Sequence, residues 1–84
     1  FHGSVRERFL REAQTAAGLT HPHIVPIYAA DEVSGVAYLA MAFVDGETLG
    51  ERMAREARLP IPFVRRVLAE VAGALAHAHA QGVV

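Results

Sequence analysis

The chain lacks cysteine and lysine, and it has no long uncharged hydrophobic run. Without cysteine it can form no disulfide, no thiolate metal site and no cysteine nucleophile. No segment has the roughly 20 apolar residues that a membrane-spanning helix needs. The formal net charge is −1, which gives no electrostatic reason to expect nucleic acid or an anionic membrane as a partner.

What is present indicates one small globular domain. Hydrophobic residues make up 52% of the 84 residues and charged residues 20%, a composition typical of folded rather than disordered chains. Much of the apolar content is alanine, which predicts a thin core. The chain begins with Phe1 rather than methionine, and we expect it to be a piece of a longer, soluble, cytoplasmic protein.

The stretch from Val36 to Leu49 organises the chain. The run from Val36 to Val44 has no charge and several β-formers, which predicts a buried strand. Asp45-Gly46 ends it, and Thr48 with Glu51 then forms a capping box that starts a helix. The chain therefore changes here from sheet to helix.

The remaining segments predict helix, hairpin, short helix and long helix, an α+β fold. Ser4 and Glu7 form a capping box for the first helix, and Asp31 to Gly35 is expected to join the two strands as an antiparallel hairpin. Pro26 favours an edge or bulged position for the first strand. The predicted ranges are helix 5–19, strands 24–30 and 36–44, and helices 49–57 and 62–81.

The histidines do not predict a metal site. His77 and His79 lie about 200° apart around a helix, so they cannot share one ion. His21 and His23 could share a face, but the sequence offers no third ligand, which favours capping or packing roles. Ser4 and Ser34 are explained by capping and turns, no pair of carboxylates is favoured for acid–base chemistry, and no Gly-rich phosphate loop is present.

The order of the segments closely resembles the middle of a bacterial-type serine/threonine protein kinase domain. The specific passages are Arg11-Glu12-Ala13, Thr20-His21-Pro22-His23-Ile24-Val25 and Met41-Ala42-Phe43-Val44-Asp45-Gly46. Each passage is weak alone, but together they are strong, and the resemblance covers essentially all 84 residues in the right order and with the right spacings. The resemblance implies a partial kinase domain, with small-lobe residues 1–44 and the start of the large lobe at 45–84.

The resemblance gives the first helix a regulatory role. Glu12 matches the glutamate that pairs with the strand lysine holding the ATP phosphates. The alternative is a surface ion pair with Arg8, four residues earlier. Ala16 and Ile27 fall where related kinases stack an apolar column between the lobes, although ordinary core packing predicts the same burial.

The resemblance places the adenine site at the end of the central strand. Met41 matches the gatekeeper, and Ala42 and Val44 would offer backbone groups to the adenine edge. Kinases of this type usually have glutamate at the position of Ala42, a departure that removes a side chain but keeps the backbone contacts. Thr48 lies near the expected ribose, although helix capping explains it equally well.

The resemblance also implies what lies elsewhere. The Gly-rich loop and its lysine would precede Phe1, and the His-Arg-Asp and Asp-Phe-Gly motifs would follow Val84. We therefore expect the parent to be a kinase that uses ATP and Mg²⁺ on a protein substrate, and the piece alone to be inactive. Any membrane attachment would be through other segments. The alternatives are a pseudokinase-like or truncated module that binds a partner without catalysis, and a stand-alone α+β domain.

Overall fold

The computed structural model describes the backbone of residues 2–84 and the side chains from Val5 onward. It confirms the α+β class and the predicted order of elements. The hairpin is a two-stranded antiparallel sheet. The elements in chain order are α1 (His2–Ala16), β1 (Ile27–Val33), β2 (Val36–Met41), α2 (Leu49–Arg55) and α3 (Ile61–Ala80).

Helix α1 lies a few residues earlier than the predicted range 5–19. Its backbone already includes Ser4, so Ser4 is not the N-cap, and the Ser4 side chain lies outside the described residues. At the other end, the Gly18 N–H donates to the Thr15 carbonyl at 3.1 Å and the Leu19 N–H to the Ala16 carbonyl at 3.0 Å. These tighter bonds close the helix before Gly18 and Pro22, as such bonds often do at helix ends.

The hairpin turn is shorter than predicted, because only Ser34 and Gly35 form it. Both residues have positive φ, 51° and 79°, as in the two-residue type I′ turn that matches strand twist. Val33 pairs directly with Val36. The predicted turn 31–35 was therefore wrong in length.

Strand β1 is displaced from the predicted range 24–30. Asp31 and Glu32 belong to it and are exposed, since a two-stranded ribbon leaves water-facing positions where charge is tolerated. Pro26 precedes the strand, and the pairing register shifts between Ile27 and Ala29. The expected irregularity near Pro26 is thus a bulge just after it.

Strand β2 ends at Met41 and not at the predicted Val44. The Ala42 N–H still donates to the Pro26 carbonyl at 2.9 Å, but the chain then leaves the sheet. Phe43 is 90% exposed. The prediction from the uncharged run therefore extended β2 past the point at which its partner, β1, pairs with it.

The two later helices begin close to their predicted starts. Helix α2 ends at Arg55, with Glu56 as its C-cap, two residues before the predicted Ala57. Helix α3 has Pro62 in its first turn, where proline costs no hydrogen bond. At its end the Val83 N–H donates to the Ala78 carbonyl at 2.9 Å and Gly82 has φ 86°, a Schellman cap.

Glycine at this cap gives a testable contrast with a glycine inside the same helix. A Cβ added at either Gly82 or Gly73 meets nothing within 4 Å, so only backbone conformation distinguishes the two sites. We expect Gly82→Ala to destabilise α3 by about 1 kcal/mol and Gly73→Ala to stabilise it by about 0.5 to 1 kcal/mol. Far-UV circular dichroism of the chain should show lower helicity for the first variant and higher for the second.

The described core is thin. Among residues 5–84, the buried apolar residues are Ala13, Ala74 and Ala78 alone. On α3, Leu68, Val71 and Leu75 remain between 50% and 64% exposed. These apolar residues lie at helical spacing on α3, and residues 5–84 cover them only in part.

Helix α1 is held against the hairpin by polar contacts. The Gln14 side-chain amide donates to the Ala30 carbonyl at 3.3 Å, and Arg6 lies 3.5 Å from the Glu32 carboxylate. Within residues 2–84, no helix is both long and apolar enough to cross a membrane.

Candidate functional site

The connection from β2 to α2 offers backbone hydrogen-bonding groups without partners. The Ala42 N–H is used by Pro26. In the described part of the chain, however, neither the Ala42 carbonyl nor the N–H or carbonyl of Val44 makes a hydrogen bond. One carbonyl and one N–H, two residues apart on an extended segment, can read the edge of a planar heterocycle.

The side chains along this connection are largely open to solvent. Met41 is 51% exposed and Val44 66% exposed. Val44 also lines an open recess of about 420 Å³ whose other walls are residues 22–26 and α3 residues Val67, Glu70 and Val71. The sequence-predicted residues Met41, Ala42, Val44 and Thr48 thus lie on one continuous segment.

Thr48 caps α2 as predicted. The Glu51 N–H donates to Thr48 Oγ1 at 3.0 Å, and the Thr48 N–H donates to Glu51 Oε1 at 2.9 Å. Both halves of the capping box are present. The Thr48 hydroxyl oxygen is therefore an acceptor for the helix, while its proton remains available to a ligand oxygen.

Charged side chains fix α2 after the connection. Arg55 pairs with Glu47, and Arg52 Nε lies 2.9 Å from Glu56 Oε2. The Arg52 guanidinium also stacks over the Phe63 ring at 3.8 Å, which joins α2 to α3. The hydrogen bond from Arg55 lowers the pKa of Glu47, and the same pair raises the pKa of Arg55.

The capping box should respond to pH through the carboxylate of Glu51. Two hydrogen bonds with Thr48 lower the pKa of Glu51 from 4.5. The one from the Thr48 backbone has the larger effect, and the one with the Thr48 side chain the smaller. A carboxyl group whose pKa is lower in the folded than in the unfolded chain stabilises the folded state at pH values above its unfolded pKa. That stability is lost as pH falls through its folded pKa. We expect the Thr48 amide resonance to move with a midpoint below pH 4.5. Glu51→Gln keeps an acceptor at this position and should abolish that titration; an unchanged midpoint in this variant would contradict the assignment.

Glu12 lies apart from this connection, on α1. It is exposed and lines a cavity of about 220 Å³ with Arg11, Thr15 and residues 82–84. Among the described residues Glu12 forms no ion pair, so the alternative surface pair with Arg8 is absent. The structure therefore places this carboxylate beside the segment that follows α3.

Two other sequence-predicted positions, Ala16 and Ile27, are half-buried. That burial fits both the apolar column that the resemblance implies and ordinary core packing. Their assignment to an interlobe column stays a prediction.

Two contacts between α3 and the loop after α1 were not predicted from the sequence. The rings of His21 and His77 stack with centroids 5.2 Å apart, and His23 Nε2 lies 3.5 Å from Glu70 Oε2. Helical spacing relates His77 only to its near neighbour His79. No local feature of the sequence indicates that α3 contacts the loop after α1. Among the side chains of residues 5–84, no group of three or more histidines or carboxylates is arranged to hold a metal ion.

A match to a protein-family model shows the family of this chain. The model of the protein kinase domain matches residues 2–84. The chain belongs to the protein kinase family. The resemblance drawn from the sequence is thereby confirmed.

Several bacterial serine/threonine kinases are similar to this chain. Serine/threonine-protein kinase PknJ of Mycobacterium tuberculosis is 44% identical over 79 residues, which are 94% of this chain and 13% of PknJ. PknI of the same organism is 42% identical over 92% of this chain and 14% of its own length. The probable serine/threonine-protein kinase pknA2 of Bifidobacterium longum is 41% identical over 93% of this chain and 10% of its own length.

This kinase-family chain therefore spans only about an eighth of the length of the relatives it matches. Its candidate site has two separate parts, Glu12 on α1 and the backbone of the 41–48 connection, and no described contact joins them. The roles of Glu12, Met41, Ala42, Val44 and Thr48 remain predictions that rest on the geometry above.

Proposed function

We propose that these residues form the part of a serine/threonine protein kinase that runs from its regulatory helix to the segment before its catalytic loop. Residues 1–44 belong to the small lobe and residues 45–84 begin the large lobe. The full-length protein transfers the γ-phosphate of ATP to serine or threonine hydroxyls of a protein substrate. The kinase-domain match over residues 2–84 and the serine/threonine kinase names of the relatives support this proposal.

The observation that carries the adenine site is the pattern of used and unused backbone groups after β2. The Ala42 N–H is engaged by Pro26, while the Ala42 carbonyl and the Val44 N–H make no hydrogen bond among the described residues. Adenine presents an amino donor and a ring-nitrogen acceptor side by side. The Ala42 carbonyl accepts from the first, and the Val44 N–H donates to the second.

Magnesium and the phosphates are assigned to other segments. The resemblance assigns the Mg²⁺ ligands to segments outside residues 1–84. When bound, Mg²⁺ neutralises charge on the phosphates. The contribution of this chain is Glu12, which orients the phosphate-binding lysine. We also propose a cytoplasmic location and no nucleic-acid partner, and membrane attachment only through other segments.

Nucleotide selectivity tests the site in the full-length protein. Guanine carries a carbonyl where adenine carries its amino group, so it would oppose the Ala42 carbonyl without a proton between them. A site built to hydrogen-bond one group rejects an analogue that lacks it. We expect isothermal calorimetry with Mg²⁺ to show ATP binding at least about tenfold tighter than GTP. Equal binding, or none for ATP, would overturn the proposed site.

The isolated 84-residue chain is expected to transfer no phosphate. Phosphoryl transfer needs the lysine, the Mg²⁺ ligands and the catalytic aspartate placed together, and the resemblance places all of them in other segments. The measurement is incorporation of label from γ-labelled ATP in the presence of Mg²⁺. Detectable incorporation by the purified chain would contradict the assignment.

A second candidate function is a binding module without catalysis. The exposed apolar residues favour it, since Phe43 is 90% exposed and Tyr28 71% exposed, and exposed apolar surface commonly marks interaction sites. The two functions differ in the full-length protein, where a pseudokinase-like module would lack the phosphate-binding lysine or a catalytic aspartate.

A further inference from the structure

The connection from β2 to α2 is held at both ends by hydrogen bonds. Ala42 at its start donates to Pro26, and Thr48 at its end belongs to the capping box. Between them, no backbone group of residues 43–47 forms a hydrogen bond in the part of the chain that the structure describes. This stretch includes Gly46, and glycine has the most backbone freedom to lose on ordering. A side-chain contact from within the stretch therefore restricts it most.

Glu47 makes such a contact, with Arg55 of α2, at two points. Arg55 Nε donates to Glu47 Oε2 at 3.3 Å, and Arg55 Nη2 donates to Glu47 Oε1. Two parallel hydrogen bonds fix the relative orientation of both groups, which a single contact does not. Within residues 5–84, Glu47 is the one side chain of the stretch 43–47 that forms a hydrogen bond or an ion pair.

Helix α2 is joined in turn to α3. Arg55 Nη1 lies 3.4 Å from Glu56 Oε2, and the same oxygen accepts from Arg52 Nε at 2.9 Å. The Arg52 guanidinium lies over the Phe63 ring of α3. An unbroken series of contacts thus runs from Glu47 through α2 to α3. We call Glu47, Arg52, Arg55, Glu56 and Phe63 the α2 network.

The geometry of the α2 network differs from that of an isolated surface ion pair. The Glu47 and Arg55 side chains are 39% and 58% exposed, and water and salt screen isolated pairs at such positions. Exposed pairs do contribute where an arginine contacts a carboxylate at two points or where several charges form a network. The α2 network meets both conditions.

We propose that Glu47 and Arg55 are positioning residues for the nucleotide, because their pair holds the connection that carries the Ala42 carbonyl and the Val44 N–H. This inference rests on the proposed kinase function and deepens its adenine site. In this role neither side chain contacts the nucleotide, and both act through the backbone. A connection that is ordered before ATP arrives loses less conformational entropy when ATP binds.

A double-mutant cycle in the full-length protein tests the pair, with Glu47→Ala, Arg55→Ala and the double variant. Each single substitution should weaken ATP binding by about three- to fivefold in calorimetry with Mg²⁺, because the connection must then be ordered on binding. The double variant should lose no more than either single variant, since no contact remains for the second substitution to remove. In steady-state kinetics, KM for ATP should rise while kcat stays within about twofold.

A second measurement reports the order of the connection without nucleotide. Amide order parameters of residues 43–47, from amide-nitrogen relaxation, should be about 0.85 in the unsubstituted protein and below about 0.6 in Glu47→Ala and Arg55→Ala. Arg58→Ala is the matched control, because Arg58 is exposed after α2 and forms no ion pair among the described residues. Its order parameters and its ATP affinity should match those of the unsubstituted protein.

The two measurements separate failure of this inference from failure of the proposed function. Order parameters that stay equal to those of Arg58→Ala overturn the positioning role, whether or not ATP binds. Lower order parameters with unchanged ATP affinity also overturn it, as do losses of affinity that add in the double variant. If the unsubstituted protein binds no ATP, the proposed adenine site fails and the positioning role fails with it.

Discussion

Replacing Glu12 by glutamine in the full-length protein is expected to lower the rate of phosphoryl transfer by about 10²-fold or more. The substitution preserves shape but removes the charge that we propose orients the phosphate-binding lysine. In the structure Glu12 is exposed on α1, forms no ion pair among the described residues and borders a cavity of about 220 Å³. It is therefore available to a lysine supplied by another segment.

Glu7→Gln is the matched control for this prediction, because Glu7 is also an exposed glutamate on α1 without a described ion pair. We expect its rate to stay within about twofold of the unsubstituted protein, as is usual for surface positions. Thermal unfolding should be nearly unchanged in both variants. If Glu12→Gln transfers phosphate as fast as Glu7→Gln, the carboxylate is a surface residue only and the ion-pair role is wrong.

Replacing Val44 by proline should weaken ATP binding by about 10- to 100-fold, the cost of leaving one buried acceptor of the ligand without its donor. Proline removes the backbone N–H of Val44, which makes no hydrogen bond among the described residues. Phe43, the residue before it, lies outside any helix or strand. The extended backbone that proline demands of its predecessor is thus tolerated here.

Val44→Ala keeps the N–H and shortens only the side chain. Because that residue is 66% exposed, we expect its ATP affinity to change by no more than about threefold. Calorimetry with ATP and Mg²⁺ measures both variants. Equal losses of ATP affinity in the two variants would assign the effect to the Val44 side chain. They would contradict the role of its backbone N–H.

Local chemistry allowed several features of the fold to be predicted from sequence. The capping box of Thr48 and Glu51 uses residues three apart, and the antiparallel hairpin joins two strands that follow each other in the chain. The hairpin turn was mispredicted because Asp31 and Glu32 look like turn residues. In a two-stranded ribbon their side chains reach water from within the strand, so charge does not mark the strand end.

The parts that could not be predicted depend on contacts between distant segments. Nothing near His77 in the sequence indicates that its ring meets His21. The placement of Glu12 beside Val83 and Val84 likewise depends on where the segment after α3 lies relative to α1. For such residues the role comes from the resemblance to kinases. Their spacing in the sequence alone is explained equally well by an ordinary surface residue.

The exposed apolar surface has a physical explanation within this account. Val71 and Leu75 lie on the stripe of α3 at helical spacing, yet they are 50% and 52% exposed. Only alanines are buried among the described apolar residues, so little apolar area stabilises this packing. In a kinase domain, further segments would cover these faces and supply most of the missing burial.

Transfer of phosphate by the full-length protein tests the central claim most directly. The protein is incubated with γ-labelled ATP, Mg²⁺ and dephosphorylated casein, and the labelled residues are identified by mass spectrometry. We predict label on serine or threonine, dependent on Mg²⁺ and strongly reduced by Glu12→Gln. ATP binding without any transfer would contradict the kinase function and leave a non-catalytic module that retains the fold.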